Sequence, residues 1–147
     1  MRLLAGVVTF TVLSSFAVGC AGQTPPPNTN RRAEALAAWN TEHPQAATEL
    51  CTWAKNHPEA ASRFFDWAGH HREHSQEFVG WTLAHPNKHI DAFVTEHPRW
   101  GDFDWIAETH HPAANAFMDW VRRHPEAAEA LMSHPGALVY ASKSMSC

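Results

Sequence analysis

Basic runs are missing from this chain. Its eleven lysines and arginines are scattered through 147 residues, and the formal charge is −4 with neutral histidines, so no electrostatic stripe recommends a nucleic acid partner. An apolar run fit to cross a membrane is missing too. A spanning helix needs about twenty mostly apolar residues with anchoring flanks. The best candidate, Leu3 to Val18, is shorter and is interrupted by Thr9, Thr11, Ser14 and Ser15. There is no Cys-x-x-Cys-His step, which excludes covalent haem attachment. Cysteine is scarce, at positions 20, 51 and 147 only. At this length the chain holds one domain plus whatever is removed or left unfolded.

Histidine and tryptophan are plentiful instead, twelve and seven, and they are phased. Trp39, Trp53, Trp67 and Trp81 are each followed four residues later by histidine. Proline comes next after three of these, His43, His57 and His85, whereas His71 is followed by Arg72. The His-Pro step recurs at 97, 111, 124 and 134. Most of the chain is therefore one fourteen-residue unit copied with drift.

Counted from proline as position 1, alanine (46, 60) stands at position 3 and Leu50, Phe64 or Phe78 at position 7. Tryptophan stands at position 10 and histidine at position 14, and these four positions share one face of an α-helix. Proline suits the first helical position, where its missing N–H would be unpaired anyway. The residue before it is pushed out of helical geometry, so each His-Pro predicts a break. Helices of about eleven residues, about 16 Å long, are too short to be stable alone and must stack. The expected fold is all-α: six to eight tandem short helices forming a small superhelical array or a compact orthogonal bundle. In it the phased tryptophans are core. Each joint histidine caps the next helix or donates to the last carbonyls of its own. His89 and His110 have no place in the pattern and default to exposed surface.

The N-terminal segment has a different character. Arg2 precedes the apolar stretch, which ends in Ala17-Val18-Gly19-Cys20. This resembles the lipobox of bacterial lipoproteins, with Ala17 where the family usually has leucine. The resemblance covers residues 1–20 and implies a signal peptide over 1–19, with Cys20 lipid-modified and made the new N-terminus. Several dozen buried methylenes at roughly 0.8 kcal/mol each would make such an anchor essentially permanent. Ala21 to Asn30 has three consecutive prolines and no large apolar residue, so residues 20–30 read as a tether and 31–147 as the folded domain. In an exported chain Cys51 and Cys147 can form a disulfide, or both can stay free.

Two segments depart from the repeat. In Gly69-His70-His71-Arg72-Glu73-His74 nothing forbids one continuous helix over 58–84, although Gly69 argues for a kink. In a continuous helix His70 and His74, four apart, could chelate Zn²⁺, Ni²⁺ or Cu²⁺ with His71 nearby. His71 and His74 would then lie in an aromatic seam. The same residues contain the inverted zinc-protease spacing His-x-x-Glu-His, in a chain far too short for such an enzyme. The second departure is Pro98-Arg99-Trp100-Gly101-Asp102-Phe103-Asp104-Trp105. There Trp100 and Trp105 could stack on a sugar beside Asp102 and Asp104, which would pair as acid and base only in an extended segment. A drifted repeat with both rings packed inward is the plainer expectation.

Together these features lead us to expect a lipid-anchored, extracytoplasmic helical module that binds or scaffolds and is not an enzyme. Its partners would be the membrane, through the anchor, and an envelope protein or glycan. The alternative is an envelope protein holding a transition metal at His70, His71 and His74.

Overall fold

Proline and histidine set the local structure wherever they adjoin. The computed structural model describes residues 27–98, 100 and 102–144, with the backbone alone at 27, 102 and 144. The signal-like segment, Cys20 and Cys147 lie outside these residues. The described residues form nine helices and no strand: α1 (Pro27–Glu42), α2 (Pro44–Asn56), α3 (Pro58–His70), α4 (Arg72–Ala84), α5 (Ile90–Glu96), α6 (Asp102–Thr109), α7 (His111–Arg123), α8 (Pro125–Met132) and α9 (Pro135–Ser144). The all-α array of short tandem helices is as expected, with more members than the six to eight anticipated. Residues 27–30, assigned to the tether, are instead the first turn of α1, so the folded part begins earlier than residue 31. Among the described residues no helix is long and apolar enough to cross a membrane.

The corners share one geometry. His43, His57, His71, His85, His97 and His124 have φ between −134° and −123° and ψ between 58° and 68°. At His43, His57, His71 and His124 the N–H donates to the carbonyl four residues back, and the carbonyl accepts from the N–H four residues ahead. Each corner is thus a change of φ and ψ at one residue, and the backbone groups of these four histidines stay paired. No described cap histidine uses its side chain as an N-cap acceptor. At His85 and His97 the Nδ1–H donates backwards instead, to the carbonyls of Trp81 (2.9 Å) and Phe93 (2.8 Å). The rings also pack on the aromatic residue four back, at 4.4 Å for Trp81–His85 and 4.2 Å for Phe93–His97.

The phased tryptophans are buried, from 1 % exposed at Trp120 to 9 % at Trp81. Trp53 on α2 donates its indole N–H to the Ala113 carbonyl on α7, and Trp120 on α7 donates to the Ala46 carbonyl on α2 (2.9 and 3.0 Å). Trp39 does the same to Ala127 on α8. Each acceptor lies three residues after a corner, at His43, His110 and His124, where a small side chain lets the indole reach the backbone. The repeat therefore carries donor and acceptor halves of one interhelical contact. This also corrects the phase at 110–111: His110, not His111, is the corner (φ −124°, ψ 37°), and His111 opens α7.

The helix does not run through residues 58–84. It breaks at His71, whose geometry matches the proline-marked corners. The cause is burial. On a continuous helix residues fourteen apart are separated by about 21 Å. Here the Phe64 and Phe78 rings lie 5.9 Å apart, and both are under 4 % exposed. Only a corner lets both halves of this segment bury their aromatic faces in one core. Gly69 contributes differently from the kink it was expected to favour: a Cβ there would stand 2.4 Å from Val139 Cγ2, so its absence lets α9 cross α3 closely.

Cys51, on α2, is disulfide-bonded, and both of the other cysteines lie outside the described residues.

Candidate functional site

The two departures from the repeat meet in space. Because the chain turns at His71, His74 on α4 faces the α5–α6 connection and stacks on Trp100 (4.5 Å, 16°). His71 stacks on His74 in turn (5.7 Å, 11°), and Trp67 lies 5.9 Å from both His71 and Trp100. The aromatic seam expected for His71 and His74 exists, built across a corner and not along a helix.

That arrangement removes the chelate. His70 ends α3, is exposed, and donates Nδ1–H to the Asp66 carbonyl (2.7 Å), while His71 and His74 lie face to face. The one-turn relation between His70 and His74 is lost at the corner. Among the described residues no three His, Cys, Asp or Glu side chains are grouped to hold a metal ion. The expectation of Zn²⁺, Ni²⁺ or Cu²⁺ at His70, His71 and His74 loses its geometric basis.

Residues 102–109 are helical, so positions 102 and 104 stand about 200° apart around a helix axis and do not lie in the extended segment that the acid–base reading required. Asp104 is half-buried, with Oδ1 lacking a hydrogen-bond partner among the described residues. Trp100 packs among Trp67, His74, Phe93 and His97. Trp105 is covered by the Arg63 guanidinium, 3.6 Å from its ring centre, and by His110 at 4.7 Å. The two indoles share no ring neighbour and offer no common sugar platform. Both pack against the core, as a drifted repeat predicts.

Histidines near other corners reach carboxylates on different helices. His111 Nε2 is 2.8 Å from Asp91, His97 Nε2 is 3.3 Å from Glu77 and His124 Nε2 is 3.0 Å from Glu49. Asn115 closes the first of these into a ring. Its Nδ2–H donates to His111 Nδ1, and its Oδ1 accepts the Ile90 N–H at the start of α5. The Glu49 carboxyl is held below its ordinary range, chiefly by the His124 hydrogen bond. Desolvation opposes this, and Gln45 and Arg123 assist. These contacts fasten helices to one another. His110, expected as idle surface, is a corner and lies 3.9 Å from Glu59.

A cleft of about 400 Å³ opens between α3 and α9, lined by Ser62, Arg63, Asp66, Trp67, His70, His71, Ser142 and Lys143. It lies beside the close crossing at Gly69. Ser62 Oγ–H donates to the Ser142 carbonyl (3.3 Å) across its wall. Neither Arg63 nor Lys143 pairs with a carboxylate among the described residues, although Arg122 and Arg123 both do. Trp67 differs from the other phased tryptophans in having no acceptor for its indole N–H among the described residues. Sequence reading singled out His70 and His71 for a metal and missed their cationic neighbours. Arg63 is an unremarkable exposed position of α3, and nothing local brings Lys143 beside it.

Comparison of the chain with family models, with curated proteins and with solved structures returns no match.

Proposed function

We propose that this chain is a lipid-anchored, extracytoplasmic binding module whose helical body presents the α3–α9 cleft to a ligand. The observation that carries the binding half is that cleft: it gathers Arg63 and Lys143, neither paired with a carboxylate among the described residues, on a body whose phased tryptophans are committed to packing. A binding module needs such a surface on a rigid frame, and preorganised side chains reduce the entropy lost on association. The anchoring half rests on Ala17-Val18-Gly19-Cys20 and its likeness to a lipobox. A tether from Cys20 to α1 would hold the cleft close to the membrane surface.

The test of anchoring is partition. We expect the full chain to fractionate with membranes and Cys20→Ser to release it. A Cys20→Ser chain that still cofractionates with membranes through high-salt washing would overturn the anchor.

A further inference from the structure

We propose that the α3–α9 cleft is a site for a phosphate-type anion, borne on a small organic body or on a lipid headgroup. The inference rests on the binding reading above and specifies its ligand class. Two fixed cations, Arg63 and Lys143, face one carboxylate, Asp66, in a chain that is negative overall. Asp66 is itself engaged, with Oδ1 3.8 Å from His70 Nδ1. His70 and His71 add positive charge whenever they are protonated.

The donor set matches phosphate better than a neutral ligand. A guanidinium and an ammonium without carboxylate partners border one space with two imidazoles, and the Trp67 indole N–H lacks an acceptor among the described residues, whereas the Ser62 and Ser142 hydroxyls already donate to the Ser142 and Val139 carbonyls. Tetrahedral phosphate oxygens accept several such bonds at once, and charge-assisted bonds to them are roughly twice as strong as neutral ones. Arg63 is already oriented, because Trp105 holds its guanidinium from one face. A cleft of about 400 Å³ falls within the range of small-molecule sites, roughly 300–1,000 Å³, and exceeds what a bare phosphate needs.

The experiment is equilibrium dialysis of radiolabelled inorganic phosphate against the purified full chain in detergent. A parallel arm floats the Cys20→Ser chain with vesicles of phosphatidylglycerol or of phosphatidylcholine alone. We expect saturable phosphate uptake, weakened about tenfold by Lys143→Gln and by Arg63→Gln, and unchanged in the surface control Lys55→Gln. Circular dichroism verifies that each variant is folded, and Lys143, exposed in the last turn of α9, carries the test if Arg63→Gln unfolds. Flotation with phosphatidylglycerol that Lys143→Gln abolishes assigns the anion to a lipid headgroup. Uptake in dialysis without flotation assigns it to a soluble phosphate ester. Absence of both, or binding that Lys143→Gln and Arg63→Gln leave intact, overturns the site. Dialysis reads the cleft and membrane partition reads the anchor, so failure of one is distinguishable from failure of the other.

Discussion

The α2–α7 pair and the α3–α9 pair are both close helix contacts, yet they are made by opposite means. Between α2 and α7 two tryptophans exchange indole hydrogen bonds with alanine carbonyls three residues past a corner. Every part of that contact is supplied by the repeat, so its polar groups are consumed. Between α3 and α9 the contact depends on Gly69, where a side chain is missing, and among the described residues no tryptophan hydrogen-bonds from one helix to the other. A cleft opens beside that crossing, and the Arg63 and Lys143 cations on its wall have no carboxylate partner among the described residues. A hollow of about 340 Å³ also opens between α2 and α7, but its Glu49 is already paired with Arg123 and His124.

Gly69→Ala strikes this difference hardest. The new Cβ would meet Val139 Cγ2 at 2.4 Å and the Pro135 carbonyl at 3.0 Å, so overpacking should destabilise by about 1–3 kcal/mol in urea unfolding. Gly80→Ala, with nothing within 4 Å of its Cβ, should stabilise by about 0.5–1 kcal/mol through helix propensity alone. Equal effects at the two glycines would dissolve the contrast.

Replacing tryptophan by phenylalanine probes the other contact. Trp53→Phe and Trp120→Phe each lose a buried hydrogen bond and should each cost about 1 kcal/mol beyond the change in packing. Trp67→Phe loses no such bond among the described residues, and its penalty should be the packing change alone. A loss at Trp67 matching that at Trp53 would mean that the indole N–H was not the difference.

Arg72→Pro restores the proline that the fourth unit lacks. Because His71 already has the common corner geometry, the ring should fit the first position of α4 and stabilise by about 0.4–1 kcal/mol. Destabilisation would show that this corner is unlike the others.

The smallest effect concerns pH. Glu49 is depressed below its ordinary 4.5 by His124 and its other partners, so its contribution to stability is complete above that value. It is lost as pH falls through the lowered folded value. Thermal unfolding of Glu49→Gln should therefore differ from the parent at neutral pH and converge with it in acid; a gap that widened on acidification would reverse the sign.

Legibility follows the range of the interaction. The joints at His43, His57, His85 and His124 could be read from sequence because proline restricts the residue before it, a one-residue effect. The burial of Trp39, Trp53 and Trp120 was legible as periodicity. The corner at His71 was not, because the chain there permits both a bend and a straight helix, and what selects the bend is the burial of Phe78 and Trp81 against distant helices. The slip from His111 to His110 was hidden for a similar reason: the His-Pro dipeptide persists, yet Ala113 must fall three residues after the corner to accept Trp53.

Sequence alone therefore determined that this chain would be short helices punctuated by histidine, with tryptophan inside. Those outcomes depend on backbone angles and on spacing within a single turn. Tertiary structure decided what the irregular segments became. His74 met Trp100, His70 turned back to Asp66, and Lys143 came beside Arg63 some eighty residues away. Such meetings depend on how the packed helices cross, and no local window of the chain contains both partners.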